Sequence, residues 1–534
     1  MPSGGQTTLT REPPTSLPPL GYPLFRAVWC AALTANICVW MQNVAAAWLM
    51  VKFDPAPLMV ALVQTAIALP AFLFGLPAGV YADLLDRRRM LILTHAFMLA
   101  ATLALYLMQL SSLLGPWSLL TLTFLLGTGS AISVPAWQAS TSDAVPRAAL
   151  GAAINLNGIA YNAARAVGPA LAGAVIAASG INWVFALNIV LLLLVLFIFV
   201  FLYRPATLSP PTPEPLLAAM RGGIRYVRHA RQLHGQLFRT LTFISCASGL
   251  WALLPLVAHN GYGLLLGSLG AGAVLGGLLL NRLRPRIRSY AHLATAANLI
   301  FVAAMLTAAW APNVHLISPS LVLGGAAWIS FNSTTSAAFQ TTLPAWVRAR
   351  ALAIFMLSFQ GSMAVGGILW GAVANRLGVS WTLTLSAGLI LLGLLVTRRY
   401  PLRMGNEAEV TPSAHWGELP LAQEPDALEG PVAVQIIYQV ANEYRDAFCR
   451  DIHDLGRTRR RDGASHWLLY RDLSHPDQFS ERFIVASWGE YLRQRGRSTL
   501  ADRDQENDLR RFLQPGTSPT ISHFLVVAPL TATP

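Results

Sequence analysis

Charged side chains are scarce in this chain, and lysine is almost missing. Asp, Glu, Lys and Arg make up 12% of the 534 residues, and Lys52 is the only lysine. A nucleotide-binding P-loop needs a lysine inside a glycine-rich turn, so the composition argues against an ATP-driven pump. Cysteine is also rare, and its spacing fits neither a disulfide framework nor a zinc site. We therefore expect no metal, no cofactor, and buried thiols at Cys30, Cys38, Cys246 and Cys449.

Apolar residues dominate instead. They make up 54% of the chain, and the mean hydropathy is +0.49. A soluble protein cannot bury that much apolar surface, whereas a bilayer accommodates it. The formal net charge of +13 comes almost wholly from arginine. Up to residue 403, most of these arginines lie in loops between apolar runs, which indicates lipid headgroups rather than nucleic acid as their partner.

Twelve apolar runs are each long enough for a helix to cross a bilayer, which takes about 20 residues. Lipid cannot satisfy the backbone of an open strand, so we predict helices. The runs fall into two sets of six on either side of a polar stretch. They occupy roughly 24–50, 58–82, 90–112, 116–138, 149–179 and 181–203, then roughly 238–258, 260–281, 290–311, 316–340, 350–375 and 379–397.

The two sets are copies of one unit. Gly277 lies 198 positions after Gly79, and the same offset relates Gly127 to Gly325, Pro146 to Pro344, Gly168 to Gly366, and Gly173 to Gly371. A constant offset across several runs indicates an internal repeat, as in many secondary transporters. We predict an all-α membrane protein with twelve transmembrane helices in two parallel six-helix repeats.

The arginine-rich loops fall on one side of the predicted membrane. The opposite loops hold only Lys52 and Arg376. By the positive-inside rule, both termini and the central loop are cytoplasmic, in a multi-pass protein of the plasma (inner) membrane.

The chain outside the spans divides by composition. We predict a disordered tail at 1–23, a six-helix bundle at 24–203, a central loop at 204–237 on the inner membrane face, a second bundle at 238–400, a linker at 401–430 and a small domain at 431–530. In that domain the predicted strands are Val432–Val440, His466–Leu473, Ser480–Ser487 and Thr520–Val527. The predicted helices are Asn442–Arg461 and Gly489–Leu513. This β-α-β-β-α-β order is typical of a ferredoxin-like α+β fold.

A basic loop ends the second span of each repeat. The first copy runs from Gly79 through Asp83 and Asp86 to Arg87 and Arg88. The second contains Gly277, Arg282 and Arg286. A carboxylate at a span's inner end can accept N–H groups from a neighbouring helix, and such a latch can be made in one conformation and broken in another. The alternative is a charged loop that only fixes topology.

The first loop resembles the signature of the major facilitator superfamily. Leu84 stands where that signature usually has arginine, and Asp86 where it usually has glycine. In the second copy Asn281 replaces the acid, while Arg282 is kept. The resemblance spans about 24–400 and implies a transporter working by alternating access.

A second stretch is similar to the enterobactin-exporter branch, the transmembrane secretion effectors. It runs from Pro135-Ala-Trp-Gln-Ala through Asn155-Leu-Asn157 to Asn162-Ala-Ala-Arg165-Ala-Val-Gly168-Pro169 and Gly173. In related exporters a Gly-Pro pair here is associated with outward transport. The tail, with Arg459–Ala464, Trp467 and Ser487–Arg495, resembles the antibiotic-biosynthesis-monooxygenase-like domain of some members.

Arg165 is the most informative residue of the fifth span. A charged side chain inside an apolar span is costly, so it should face protein or water. Asn162, Arg165 and Pro169 share one helical face, while Gly168 and Gly173 permit a kink and close packing. A cavity or gating role is our preferred interpretation, and pairing with a neighbouring helix is the alternative.

Other polar or aromatic side chains within the spans could line a central cavity. Individually, each tryptophan is more often core packing or an interface anchor. The candidates are Asn36, Trp40 and Asn43 in the first span, and Trp251, Trp328, Asn332 and Gln360 in the second repeat.

We therefore expect a secondary transporter that exports a small amphiphilic molecule, such as a siderophore, drug or secondary metabolite. Proton coupling is implied by the resemblance alone, and its candidate carriers are Asp143, His95 and His292. The alternatives are an importer of the same fold, or a membrane-tethered enzyme acting through the tail. For the tail, a regulatory or dimerising role is preferred over catalysis, because fold alone does not confer chemistry.

Overall fold

The computed structural model describes residues 18–84, 86–203, 216–258, 261–283, 287, 289–400, 402–413 and 423–526. Among them, twelve helices are long and apolar enough to cross a membrane, which confirms the predicted number. A shorter helix, α7 (Leu216–His229), separates the two sets of six. The first set is α1 (Pro23–Phe53), α2 (Pro57–Leu84), α3 (Arg87–Leu110), α4 (Pro116–Asp143), α5 (Arg147–Ser179) and α6 (Ile181–Phe197). The second is α8 (Arg231–Ala258), α9 (Tyr262–Leu283), α10 (Tyr290–Trp310), α11 (Val314–Thr341), α12 (Ala345–Leu377) and α13 (Val379–Thr397).

The internal repeat is visible at the helix ends. Pro146 and Pro344, 198 positions apart, each precede the fifth helix of a set, with ψ of 154° and 151°. Gly180 and Gly378, at the same offset, each form the single residue between the fifth and sixth helices. Their φ angles are +89° and +80°, a region that residues with a Cβ rarely adopt. The same two turns therefore recur in both halves.

The two halves meet along two helix pairs near one end of the bundle. We call this the far end; it carries Asp54, Gly180 and Gly378. A Cβ on Gly263 of α9 would lie 2.7 Å from the Cα of Gly173 on α5. In the repeat-related pair, a Cβ on Gly371 of α12 would lie 3.0 Å from the Cα of Leu58 on α2. Small residues let helix backbones approach this closely.

The segment between the halves is more structured than the predicted loop. Helix α8 begins at Arg231 rather than at 238, and α7 packs on the second half of the bundle. Tyr226 and Val227 are buried in a cluster with Val347 and Ala351 of α12. The reason is an apolar stripe on α7 that matches the first turns of α12. Within 1–23, the described residues form a short turn, Pro19–Gly21, before α1, and 1–17 lie outside the described residues.

The C-terminal domain has the predicted ferredoxin-like order. Strands β1 (Val432–Gln439), β2 (Ser465–Arg471), β3 (Gln478–Val485) and β4 (Thr520–Leu525) form an antiparallel sheet in the order β2-β3-β1-β4. After α14 (Glu407–Val410) in the linker comes α15 (Arg445–Asp462), which packs on the sheet. The single helix predicted at Gly489–Leu513 is wrong: the chain forms α16 (Trp488–Arg497) and α17 (Leu500–Leu509). Thr499 causes the break, because its side chain caps α17 by accepting from the N–H of Asp502.

Two smaller expectations also change. Cys30 is exposed on α1 and Cys449 is half-buried, whereas Cys38 and Cys246 are buried as expected. Part of the linker predicted at 401–430 is ordered against the domain, since Pro412 forms an isolated β-bridge with Thr499. Residues 414–422 of that linker lie outside the described residues.

Candidate functional site

A cavity of about 340 Å³ lies between the two halves. Both repeats contribute to its wall, and seven of the side chains predicted from the sequence line it: Asn36, Trp40, Asn43, Arg165, Trp251, Trp328 and Gln360. Its volume falls in the range of small-molecule pockets, which is about 300–1,000 Å³. The wall contains both polar and apolar side chains, as a site for an amphiphilic molecule requires.

Arg165 is the one cation in the described wall of this cavity, and it is 8% exposed. Its guanidinium carbon lies 4.9 Å from the ring centre of Trp251, 5.7 Å from that of Trp40 and 5.8 Å from that of Trp328. Distances within about 6 Å allow a cation–π attraction. Trp40 belongs to the first half and the other two rings to the second. Arg165 therefore bridges the halves through aromatic faces.

The Nε atom of Arg165 has no hydrogen-bond partner among the described residues. The described cavity wall also contains no aspartate, glutamate or histidine. A buried cation without a counter-charge is costly, and the three rings compensate for only part of that cost. The described wall therefore carries a positive charge without an acidic partner.

Several lining residues were not among the predicted ones. Gln64, Tyr161 and Phe359 contribute, together with a buried pair in which Nδ2 of Asn188 donates to Oε1 of Gln42 at 3.0 Å. Gln42, Gln64 and Asn188 interrupt apolar runs just as Asn43 does, so the same sequence signal could have identified them.

The structure does not place Asn162 or Asn332 in the cavity wall. Each amide donates one helical turn back, to the carbonyl oxygens of Gly158 and Trp328 respectively, both at 2.8 Å. Gly168 instead provides close packing, because a Cβ there would lie 2.7 Å from the Cβ of Trp40. Pro169, within α5, and Gly173 face α9 at Gly263. Gly168 therefore packs α5 on α1 within the first half, whereas Pro169 and Gly173 pack it on α9 of the second half.

The basic loop of the first repeat is anchored within its own half. Asp86 caps α3, its Oδ1 accepting from the backbone N–H of Arg89 at 2.8 Å. Arg87 forms an ion pair with Asp143 at the end of α4. Arg88 Nε donates to the carbonyl of Phe199, just beyond α6, at 3.0 Å. These contacts join the ends of α3, α4 and α6.

The other loop residues are less informative. Gly79 and Asp83 lie in the last turns of α2, where side chains are outside the described residues. Gly277 has open space where a Cβ would be, and Arg282 is exposed at the end of α9. Arg286 lies outside the described residues.

The three candidate proton carriers lie outside the cavity wall. Asp143 is the partner of Arg87, and His292 is exposed in the first turn of α10. His95 is buried on α3, with its ring edge-on to Trp137 at 5.7 Å between centres and its Nδ1 2.8 Å from the carbonyl of Leu91. That is the packing of a core histidine.

The C-terminal domain docks on the second half. Glu490 of α16 accepts from Arg225 of α7 at 3.3 Å and from Arg497 at 2.7 Å. Arg497 also lies over the ring of Trp346, at the start of α12, with its guanidinium carbon 4.4 Å from the ring centre. Arg461 of α15 lies over the ring of Tyr226, at 5.3 Å. Burial raises the pKa of Tyr226 to about 12, which keeps its phenol neutral.

A small cavity lies inside the C-terminal domain. It lies between the helices and the sheet and measures about 20 Å³, which is less than a ring-sized substrate needs. Glu481 is fully buried, and its carboxylate accepts from Tyr438 Oη and Trp467 Nε1, each at 2.8 Å, and from Arg459. Among the described residues there is also no cluster of metal-ligating side chains. Glu481 therefore completes a buried, satisfied network that ties β3 to β1, β2 and α15.

Two six-helix halves around a central cavity define a membrane transporter of the major facilitator fold. Solved structures with this fold align along most of the bundle. One is a bacterial homologue of the human lysosomal transporter Spinster, inward-facing and unoccupied. It has a TM-score of 0.55 at 15% identity and covers 71% of this chain and 97% of its own. A POT family transporter in complex with a thioalcohol-conjugated peptide has a TM-score of 0.60 at 11% identity. The alignment covers 72% of this chain and 98% of that transporter.

The chain belongs to the transmembrane secretion effector family of these transporters, which it matches over residues 14–530, and it is an integral membrane protein. Two curated relatives are each 26% identical to it. An uncharacterised MFS-type transporter of Bacillus subtilis, YfiS, aligns over 383 residues, 67% of this chain and 90% of its own. The multidrug efflux pump Tap of Mycolicibacterium fortuitum aligns over 390 residues, which are 68% of this chain and 93% of Tap.

Proposed function

We propose that this protein exports a small amphiphilic molecule by alternating access. The observation that carries the proposal is the cavity between the halves, in which Arg165 contacts tryptophans of both. Rocking of one half against the other would expose this cavity to each side in turn. The similarity to a multidrug efflux pump favours export, and the enterobactin-exporter resemblance favours a siderophore or secondary metabolite.

The orientation that goes with this proposal has both termini in the cytoplasm. The arginine-rich loops and the C-terminal domain then face inward, and the far end faces outward. In that orientation, the close packing of α5 on α9 and of α2 on α12 near the far end would separate the cavity from the outside. Tags inserted after residues 55, 180 and 313 should therefore be accessible only from outside the cell. Labelling of these tags from the cytosol would contradict the orientation.

Direction is tested with a dye in everted vesicles. Accumulation of the dye in vesicles that contain the protein indicates export, and depletion indicates the importer alternative. Proton coupling is a further part of the proposal that the family relation supports. Collapsing the proton gradient should then abolish accumulation, and undiminished accumulation would contradict coupling.

Arg165 is central to the proposed mechanism. We expect Arg165→Ala to abolish efflux while the protein still reaches the membrane in normal amounts, because the bridge between the halves is lost. Arg376→Ala is the matched control, since Arg376 is exposed at the far end of α12. Near-normal efflux by Arg165→Ala would remove this residue from the mechanism.

We infer a regulatory rather than catalytic role for the C-terminal domain. Its contacts with α7 and α12 support this role, because they join it to one moving half. A dimer formed through this domain would be compatible with the same contacts. Turnover of phenolic substrates with oxygen by the full-length protein, abolished by deleting residues 431–530, would instead favour the enzyme alternative.

A further inference from the structure

We propose, on the basis of the transport role proposed above, that the cavity selects molecules carrying an anionic oxygen group next to an aromatic body. The anionic group would be a carboxylate, phenolate, sulfonate or phosphate bound by Arg165. The aromatic body would lie against the tryptophan rings.

The buried guanidinium is the first reason. Arg165 is 8% exposed, lines the cavity, and has an Nε without a partner among the described residues. Guanidinium groups bind carboxylates and phosphates through paired, charge-assisted hydrogen bonds. The described wall offers no acid to serve as an internal counter-ion. A bound anion would supply the missing charge and acceptors together.

The tryptophan cage is the second reason. Trp40, Trp251 and Trp328 surround the guanidinium at 4.9 to 5.8 Å between its central carbon and the ring centres. An aromatic cage of this kind would otherwise suit a cationic drug. Here the cage already holds a cation, and a second positive charge at that distance would be repelled in a weakly solvated site. The cavity thus disfavours the cations that its tryptophans alone would attract.

The rest of the wall suits a neutral aromatic body. Phe359 and Met363 provide apolar surface, while the carboxamides of Asn36, Asn43 and Gln64 provide donors and acceptors for hydroxyl groups. Arg165 would fix one end of the molecule, and this wall would hold the remainder.

A charge series on one ring tests the proposal directly. The probes are 2-naphthoate, 2-naphthamide and 2-naphthylmethylammonium, and binding to the full-length protein in phosphatidylcholine nanodiscs is measured by calorimetry and tryptophan quenching. We expect naphthoate to bind at least about tenfold more tightly than the ammonium probe, with the amide between them. Equal or tighter binding of the ammonium probe, or no saturable binding of naphthoate, would overturn the proposal. This result needs no variant.

Two variants then test whether Arg165 is responsible. Arg165→Gln should abolish the preference for naphthoate over the ammonium probe while retaining weak binding of the amide. Arg165→Lys should keep a reduced preference for naphthoate. If the affinities of the three probes kept their wild-type order in Arg165→Gln, the assignment to this residue would be overturned. Naphthoate binding without transport in proteoliposomes would refute the proposed export and leave the anion site standing, so the two failures are distinguishable.

An anionic lipid headgroup shares the proposed chemistry. Repeating the titration in nanodiscs that contain phosphatidylglycerol distinguishes the sources. Competition with naphthoate would identify a lipid phosphate as an occupant of the same anion site. An unchanged naphthoate affinity would identify a dissolved anion as the ligand.

Discussion

Replacing Gly263 with alanine tests whether close packing of α5 on α9 holds the far end shut. The new Cβ would lie 2.7 Å from the Cα of Gly173 and 3.3 Å from the carbonyl oxygen of Pro169. Both contacts are with backbone-linked atoms, so a side-chain rotation cannot relieve them and the helices must separate. Overpacking of this kind typically costs about 1–3 kcal/mol. A shift of that size changes a two-state population ratio by about 5- to 150-fold.

Gly267→Ala is the matched control. It lies one turn further along the same helix and faces the same partner, but its Cβ would meet the Cβ of Ala170 at 3.6 Å, an ordinary contact. The change in helix propensity is common to both variants. Spin labels at the exposed positions Ser179 and Asn313 report the separation of the halves at the far end. We expect longer distances for Gly263→Ala only. The same distribution of spin-label distances in both variants would refute the argument that the new Cβ at position 263 separates α5 from α9.

Three further predictions concern ion pairs. Arg87→Gln and Asp143→Asn should each lower the thermal stability of the first half, because each leaves its partner without a counter-charge. The double variant should lose less stability than the sum of the two single variants. Additive losses in thermal unfolding would show that the two residues are not coupled. Glu490→Gln should speed proteolysis of the linker by releasing the C-terminal domain, whereas Asp451→Asn, in an exposed pair, should not; equal rates would contradict docking through Glu490. Acid should have the same effect as Glu490→Gln. Burial alone would raise the pKa of Glu490, but hydrogen bonds from Arg497 and Arg493 of the same helix lower it overall. Glu490 therefore becomes protonated, and its pair with Arg225 is lost, only as the pH falls below the ordinary value of 4.5; docking unchanged at lower pH would contradict this.

The spans and their repetition follow from sequence-local physics. A helix in lipid needs a run of about 20 apolar residues whatever its neighbours are, so run lengths alone predict twelve helices. The offset that relates Gly173 to Gly371 also relates Gly180 to Gly378, whose positive φ angles mark the same turn. The strands of the C-terminal domain were predictable because the side-chain pattern of a strand is also a property of a short stretch of sequence. The break before α17 was missed because Thr499 acts through a cap, a signal that the apolar pattern does not contain.

The cavity wall was only partly predictable. Helical spacing placed Asn162 on the same face as Arg165, but its amide turns back to the carbonyl of Gly158. Asn188 and Gln42 line the cavity although they are 146 positions apart. Which polar side chain faces the cavity depends on how each helix is rotated against its neighbours, and periodicity within one helix does not contain that rotation.

The sequence by itself therefore determined the class of protein: the lipid-embedded helices, the duplication, the side that carries the arginines and the existence of a separate α+β domain. Only the tertiary structure decided which charges meet. Arg87 pairs with Asp143 within one half, and Glu490 reaches Arg225 across 265 positions. Apolar run length is a local property of the chain, whereas an ion pair needs two groups within about 4 Å in space, and only the packing of the folded chain sets that distance.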